Sequence, residues 1–363
     1  MLFRSQGKVA SVGYPGLSSK VMLEHLPRWA TEDAGRGFEL PRLTRAGRRL
    51  VLGVLLVPVL AAAYYSTLYL QLATFPDLSE VPVIREITGS ALAGHINTVT
   101  TAFVDAVSGA SEAFKNFVTY GFLNPLQSLL ATSPWWTMAL VIAAVAVILG
   151  GRRPLLITLV CEAVILGTGL WNEAMVTLTM TLVATVLVMI VAVIVGVGMG
   201  RSRIVDIVVR PLLDGFQTIP PFVYLVPALA LFASSRFTAI AAAMLYGIPI
   251  ATKLVADGIH GVSATTVEAA RSTGSTTWQM ISKVQLPMAR EALVLATNQG
   301  LLYVLSMVVI GGMVGGGSLG YLIVQGFSQG QLFGKGLAAG IAITAMGVML
   351  DRIARYAAER YGR

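Results

Sequence analysis

Eight apolar runs, separated by short charged or glycine- and proline-containing stretches, set the terms on which this chain can fold. They cover roughly residues 50–73, 134–149, 155–171, 174–199, 215–233, 238–254, 289–312 and 336–350. A bilayer core about 30 Å thick takes about 20 apolar residues of helix, and inside lipid every backbone donor and acceptor must be satisfied within the segment. The expectation is therefore an all-α, polytopic membrane protein with about eight transmembrane helices, the shorter ones tilted or broken. Composition agrees: hydrophobic residues make up 55%, charged residues 12%, and mean hydropathy is +0.75. The net charge of +8 does not signal nucleic acid, because the basic residues sit at the ends of apolar runs without interleaved aromatics. The one cysteine, Cys161, lies inside an apolar run, and His25, His95 and His260 are scattered. Neither a disulfide framework nor a metal cluster is expected.

Boundaries and orientation follow from the charges. Residues 1–49 read as a cytoplasmic N-terminal tail ending in Arg42, Arg45, Arg48 and Arg49, and 50–73 as an uncleaved first transmembrane helix. With the N-terminus inside, seventeen basic residues fall at inner ends and loops, from Arg42 to Arg363. Only Arg85, Lys115, Arg236 and Lys335 fall outside, the five in the far N-terminal tail being set aside. Cytoplasmic loops carry the excess of Lys and Arg, so both termini are expected in the cytoplasm. Residues 134–352 form the main membrane domain and 353–363 a cytoplasmic C-terminal tail.

Residues 74–133 are only partly apolar. Ile96, Val99, Phe103, Val107, Ala110, Phe114 and Phe117 recur at steps of three or four, one stripe of a helix, with Asp105, Ser108, Glu112 and Lys115 elsewhere on its circumference. An extracytoplasmic amphipathic helix is expected, lying on the membrane surface or covering the bundle.

The polar break at 257–287 is too charged to span. Glu268 to Ser272 suit a short helix with small residues on one face, and Gly274 a permissive bend. Thr277 to Val284 suit a second helix, which Pro287 is expected to stop. A compact helix–bend–helix of this kind suits a groove on another protein. Nothing in the chain reads as a motor or an active site. The nearest approach to a phosphate-binding loop, Gly330 to Gly336, is one residue short, lacks the hydroxyl and lies on the outer side.

The break also carries a resemblance. Glu268, Ala269 and Ala270, then Gly274, then Val284, Leu286 and Pro287 are similar to the cytoplasmic Glu-Ala-Ala signature of permease subunits of binding-protein-dependent ATP-driven importers, with Val284 in place of Ile. Arg210 to Asp214 leading into Gln217-Thr218-Ile219-Pro220-Pro221-Phe222-Val223-Tyr224 resembles permeases for glycine betaine, proline betaine and choline. So do Trp171 to Met175, Asn298-Gln299, Leu305 to Ile310 and Leu350 to Arg352. The resemblance covers about 120–355 and leaves out the first 75 residues.

Several side chains are candidates for the cargo pathway. Pro220, Pro221 and Pro227 break a span, which is tolerated at membrane depth only against protein or a wet cavity. Phe222 and Tyr224 beside that break either offer π faces to a trimethylammonium group or pack against neighbouring helices. Glu162 sits in the middle of a span, where a carboxylate costs about 2.5–3.5 kcal/mol on insertion scales. It is either an anionic partner for a cationic cargo or a neutral, hydrogen-bonded group. Gln217 and Asn298 join these candidates from the resembling segments. For Gly312 to Gly320 the resemblance implies a re-entrant or gate-like segment, while a plain turn remains open.

Taken together, the resemblance implies a type I importer permease fold in the inner membrane of a prokaryote. It implies a homodimer with a second copy of this chain, two copies of a cytoplasmic ATPase and an extracytoplasmic substrate-binding protein. ATP and Mg would be bound by the partner ATPase, with no cofactor or metal in this chain. The cargo implied is a quaternary ammonium osmoprotectant. A permease for a sulfonate or an amino acid is the alternative within the class, and an ion-coupled secondary transporter the alternative outside it.

Overall fold

The computed structural model describes residues 89–361, together with isolated helical positions between 54 and 64. By its contacts the chain divides at Glu86 and Ile87. The expected N-terminal tail, most of the first transmembrane helix and the first part of the amphipathic segment lie outside the described residues.

Described residues form helices throughout, with no strand among them. Helix α1 spans Gly89–Val118, passes through a π turn at Thr119–Leu123 and continues as α2, Asn124–Thr132. Extended backbone at Ser133 and Pro134 turns the chain by 113° into α3, Trp135–Gly150. Then come α4, Arg153–Gly167, and α5, Trp171–Arg201. Two short helices, α6 (Arg203–Thr218) and α7 (Leu225–Phe232), precede α8, Arg236–His260. After the polar break, with its helix α9 (Ala264–Ser272), come α10 (Arg290–Gly311), α11 (Leu319–Ser328) and α12 (Phe333–Tyr361).

All seven apolar runs within the described residues become helix, but not seven spans. Four helices are long and apolar enough to cross a bilayer alone, and up to six if each bent pair counts as one. Of the eight expected spans, the first lies mostly outside the described residues, and the other seven runs give four to six. Run 155–171 yields α4, whose 15 residues reach only about 22 Å. Run 215–233 is divided by a 108° bend. The stretch expected as a C-terminal tail, 353–363, is helical as far as Tyr361. Within it Ile353 is buried, and Arg360 donates to the carbonyls of Val147 (3.2 Å) and Ile148 (2.9 Å). A cation at the carbonyl end of α3 suits the helix dipole and ties the last turns of α12 to α3.

Helix α8 is the spine. Gly196 and Gly200 on α5, four residues apart, let it approach closely: a Cβ at either would meet Val255 (2.8 Å) or Ile259 (2.6 Å). Small residues at such spacing are how apolar helices gain contact without a hydrophobic drive from lipid. On an adjoining face of α8 Gly258 receives Ala292 of α10. One buried nucleus gathers around α5, α7, α8 and α10. A second gathers around α3, α4, α11 and α12 and shares α5 and α10 with the first. The threonines of α5 enter this interior because each hydroxyl donates to a carbonyl one turn back, Thr179 to Met175 and Thr185 to Thr181 among them.

Candidate coupling and translocation site

The polar break folds as a bend between short helices, though not with the expected limits. Helix α9 begins at Ala264, so Glu268 lies a full turn inside it and away from the favourable N-terminal dipole. Glu268 and Ala269 are exposed and Ala270 is half-buried. At Gly274 φ is +79°; its N–H reaches the Arg271 carbonyl (2.9 Å) and the Ser275 N–H reaches Ala270 (3.2 Å). These paired bonds are a Schellman end, which needs a residue free to turn left-handed. Thr276 restarts the helix with a reciprocal capping box: its N–H donates to Gln279 Oε1 (2.9 Å), and its hydroxyl accepts from the Gln279 N–H (3.3 Å). The Thr-x-x-Gln spacing is the sequence signal that places such a box.

Pro287 does not stop this second helix. The chain runs from Thr277 through a π segment at Met280–Gln285 into Leu286–Met288, and the break falls at Ala289. A π turn widens the helix just before the proline, which relieves the clash of its ring with the carbonyl four residues back. Gln285, buried in that segment, accepts a hydrogen bond from Arg201 at the end of α5. Trp278 stands out from the bend at 74% exposure. No local pattern singles out either Gln285 or Trp278.

The second place of interest is the break between α6 and α7. Pro220 is extended and Pro221–Tyr224 forms a 3₁₀ turn. The Tyr224 hydroxyl donates to the Phe216 carbonyl, whose usual donor four residues on is replaced by Pro220 and which otherwise receives, among the described residues, only the Ile219 N–H at 3.3 Å. Membrane interiors demand such recapture of a lost backbone bond. Tyr224 itself is buried, while its neighbour Phe222 is 56% exposed, so the two rings do not share a face. Gln217 accepts from Lys253 of α8, which also pairs with Asp214 at 2.6 Å. Arg210 pairs with Asp206 (3.0 Å) and with Asp257 at 2.8 Å. The polar side of α6 is thereby turned to the C-terminal half of α8, and Ile204, Ile207, Val208 and Leu212 are left exposed.

The other two pathway candidates fall elsewhere. Glu162 is buried on α4 in the second nucleus, and its Oε1 has no hydrogen-bond partner among the described residues. Asn298 is buried on α10, where its amide donates to Asp351 of α12 at 3.2 Å, and Asp351 in turn accepts from Arg355 (2.8 Å). That makes it a helix–helix tie. Gln217 and Tyr224 thus stand on either side of the α6–α7 break with different partners, and Glu162 and Asn298 lie on other helices. In the glycine stretch, Gly315 and Gly317 take positive φ, and a Cβ at Gly320 would collide with the Val309 carbonyl. The chain doubles back there into the ten-residue α11, whose first N–H donates to Thr177 of α5.

Residues 189–363 match the family described as binding-protein-dependent transport system inner membrane component. The chain is 35% identical over 231 residues to the glycine betaine/proline betaine transport system permease protein ProW of Escherichia coli (strain K12), covering 64% of this chain and 65% of that protein. It is 34% identical over 251 residues to the glycine betaine transport system permease protein OpuAB of Bacillus subtilis (strain 168), covering 69% and 86%. With the glycine betaine/carnitine transport permease protein GbuB of Listeria monocytogenes serotype 1/2a (strain 10403S) it shares 36% identity over half of this chain and 64% of that protein. The chain therefore spans just under two thirds of ProW and of GbuB. Among solved structures, an inward-facing form of the MetNI methionine ABC transporter aligns with a TM-score of 0.45 at 23% identity, over 52% of this chain and 92% of that one.

Proposed function

The chain belongs to the family of binding-protein-dependent transport inner-membrane components, and from that premise we propose that it is the membrane-spanning permease subunit of an ATP-driven importer. Its cargo in this reading is glycine betaine, proline betaine, choline or a related quaternary ammonium osmoprotectant. It performs no chemistry itself. A cytoplasmic ATPase, present in two copies, binds ATP and Mg, an extracytoplasmic binding protein delivers cargo, and a second copy of this chain completes the pathway. Both termini are cytoplasmic.

The observation that carries the reading is the bend at Gly274. It presents Glu268, Ala269 and Trp278 as an exposed projection on a rigid base, capped on both sides of the bend. Behind the projection, Gln285 joins Arg201 of α5, and Asp257 joins Arg210 of α6. Movement pressed on the projection by a closing motor would pass through these ties to α5 and to the broken span. Exposed ion pairs contribute little to stability, about 0–1 kcal/mol, so the Arg210–Asp257 pair suits a joint that must exchange partners during a cycle. Such a joint transmits force only when the motor is seated on it. The test is co-purification of the chain with its ATPase, together with a thermal-shift screen of the binding protein. Stabilisation by betaines or choline agrees; stabilisation only by amino acids or sulfonates replaces the cargo.

A further inference from the structure

Three tyrosines from three elements stand in a row across the first nucleus. Tyr224, after the α6–α7 break, lies 5.8 Å from Tyr246 of α8, and Tyr246 lies 5.1 Å from Tyr303 of α10 with the rings tilted by 33°. Tyr224 is buried, but Tyr246 and Tyr303 are half-buried. The surface they open onto is not like the lipid-facing parts of this bundle. On α10 it continues along one face through Gln299, Tyr303 and Ser306, while on α8 the same face runs from Tyr246 to Lys253 and Asp257, which α6 covers through Asp214 and Arg210. On α5, by contrast, the exposed face is Val186, Ile190 and Ile194. A half-buried glutamine and an exposed serine on the same side of an apolar helix mark a face in contact with water rather than with hydrocarbon.

Resting on the transport reading above, we propose that Tyr246 and Tyr303 form a transient binding platform for the methylated ammonium end of the cargo within the permease. A quaternary ammonium carries its charge behind methyl groups and donates no hydrogen bond, so a π face attracts it where a carboxylate would not be needed. The absence of Glu162 from this face is consistent with that chemistry. Two stacked rings give a modest attraction, as a conduit requires for release. Lys253 does not hold the other end of the same bound molecule, because seven residues along α8 is about 10 Å, beyond one small zwitterion.

The test uses the complete importer in vesicles of one orientation, with binding protein outside and ATP inside, and glycine betaine as the probe. Replacing both tyrosines (Y246L, Y303L) slows uptake about three- to thirty-fold at saturating loaded binding protein, and restoring the rings (Y246F, Y303F) recovers most of the rate. Should the Leu pair fail to assemble, a Ser306→Cys reporter in a Cys161→Ala background reads the same face. Its thiol reacts with a trimethylammonium-bearing reagent, and glycine betaine under turnover slows the reaction whereas glycine does not. Unchanged uptake by a correctly assembled Leu pair, or a reporter thiol inert to the charged reagent, overturns the platform. If the unaltered importer takes up neither betaine nor choline, the transport reading itself fails, which is a distinct result.

Discussion

Replacing Gly274 separates what the bend needs for folding from what it needs for coupling. At φ +79° a side chain costs about 1–2 kcal/mol of left-handed strain, less about 0.4–1 kcal/mol recovered from a stiffer unfolded chain. No described atom lies within 4 Å of a Cβ built there, so no clash within the chain adds to that sum. The net is about 1 kcal/mol for Gly274→Ala and less for Gly274→Asn, since Asn tolerates this conformation. Gly274→Asp has Asn's shape and adds a charge. All three variants are therefore expected to insert and fold. If the bend is a docking element, transport falls in the order Ala, Asn, Asp as far as the partner's groove resents bulk and charge, and Asp loses coupling. The assay is co-purification with the ATPase, and ATP hydrolysis stimulated by the loaded binding protein in lipid vesicles. Normal stoichiometry with normal stimulation in Gly274→Asp would show the bend to be only a connector. Failure of the Ala variant to insert would refute the strain reasoning instead.

Other consequences are equally direct. Gly196→Leu drives a side chain into Val255, where even a Cβ would sit at 2.8 Å, and should cost several times the about 1–3 kcal/mol of ordinary overpacking, read as loss of folded protein in detergent. Asn298→Ala removes the tie to Asp351 and should lower stability by about 1–3 kcal/mol in thermal unfolding, while the cargo concentration for half-maximal uptake stays as it was. A cysteine at Ser234, exposed before α8, should label from outside intact cells, and one at Ser275 should not. The reverse pattern would invert the orientation read from the basic residues.

Period and punctuation carry much of this structure in plain view. Every apolar run within the described residues is helical, and the bend at Gly274 and the break at Pro220 and Pro221 stand where glycine and proline place them. What the sequence hides depends on distant neighbours. Proline breaks a regular helix, so Pro287 reads as a stop, but a π turn resets the geometry before it. Asn298 and Gln299 are adjacent in sequence, and only the rotation of α10 against α12 decides that one is a buried tie and the other faces outward. Phe222 and Tyr224 look like a pair, whereas the 3₁₀ turn between α6 and α7 sends one ring outward and the other to Tyr246. Tyr246 and Tyr303 are 57 positions apart, counted as 303 − 246, and no local pattern links them.

The claim that this chain is the conduit of an ATP-driven methylammonium importer is tested most directly by uptake of labelled glycine betaine into vesicles containing the chain and its ATPase. ATP inside, binding protein outside and the ATPase itself are omitted one at a time. Accumulation that needs all three, and is competed by proline betaine or choline but not by amino acids or sulfonates, is the predicted result. Accumulation that persists without ATP and follows an ion gradient would contradict it.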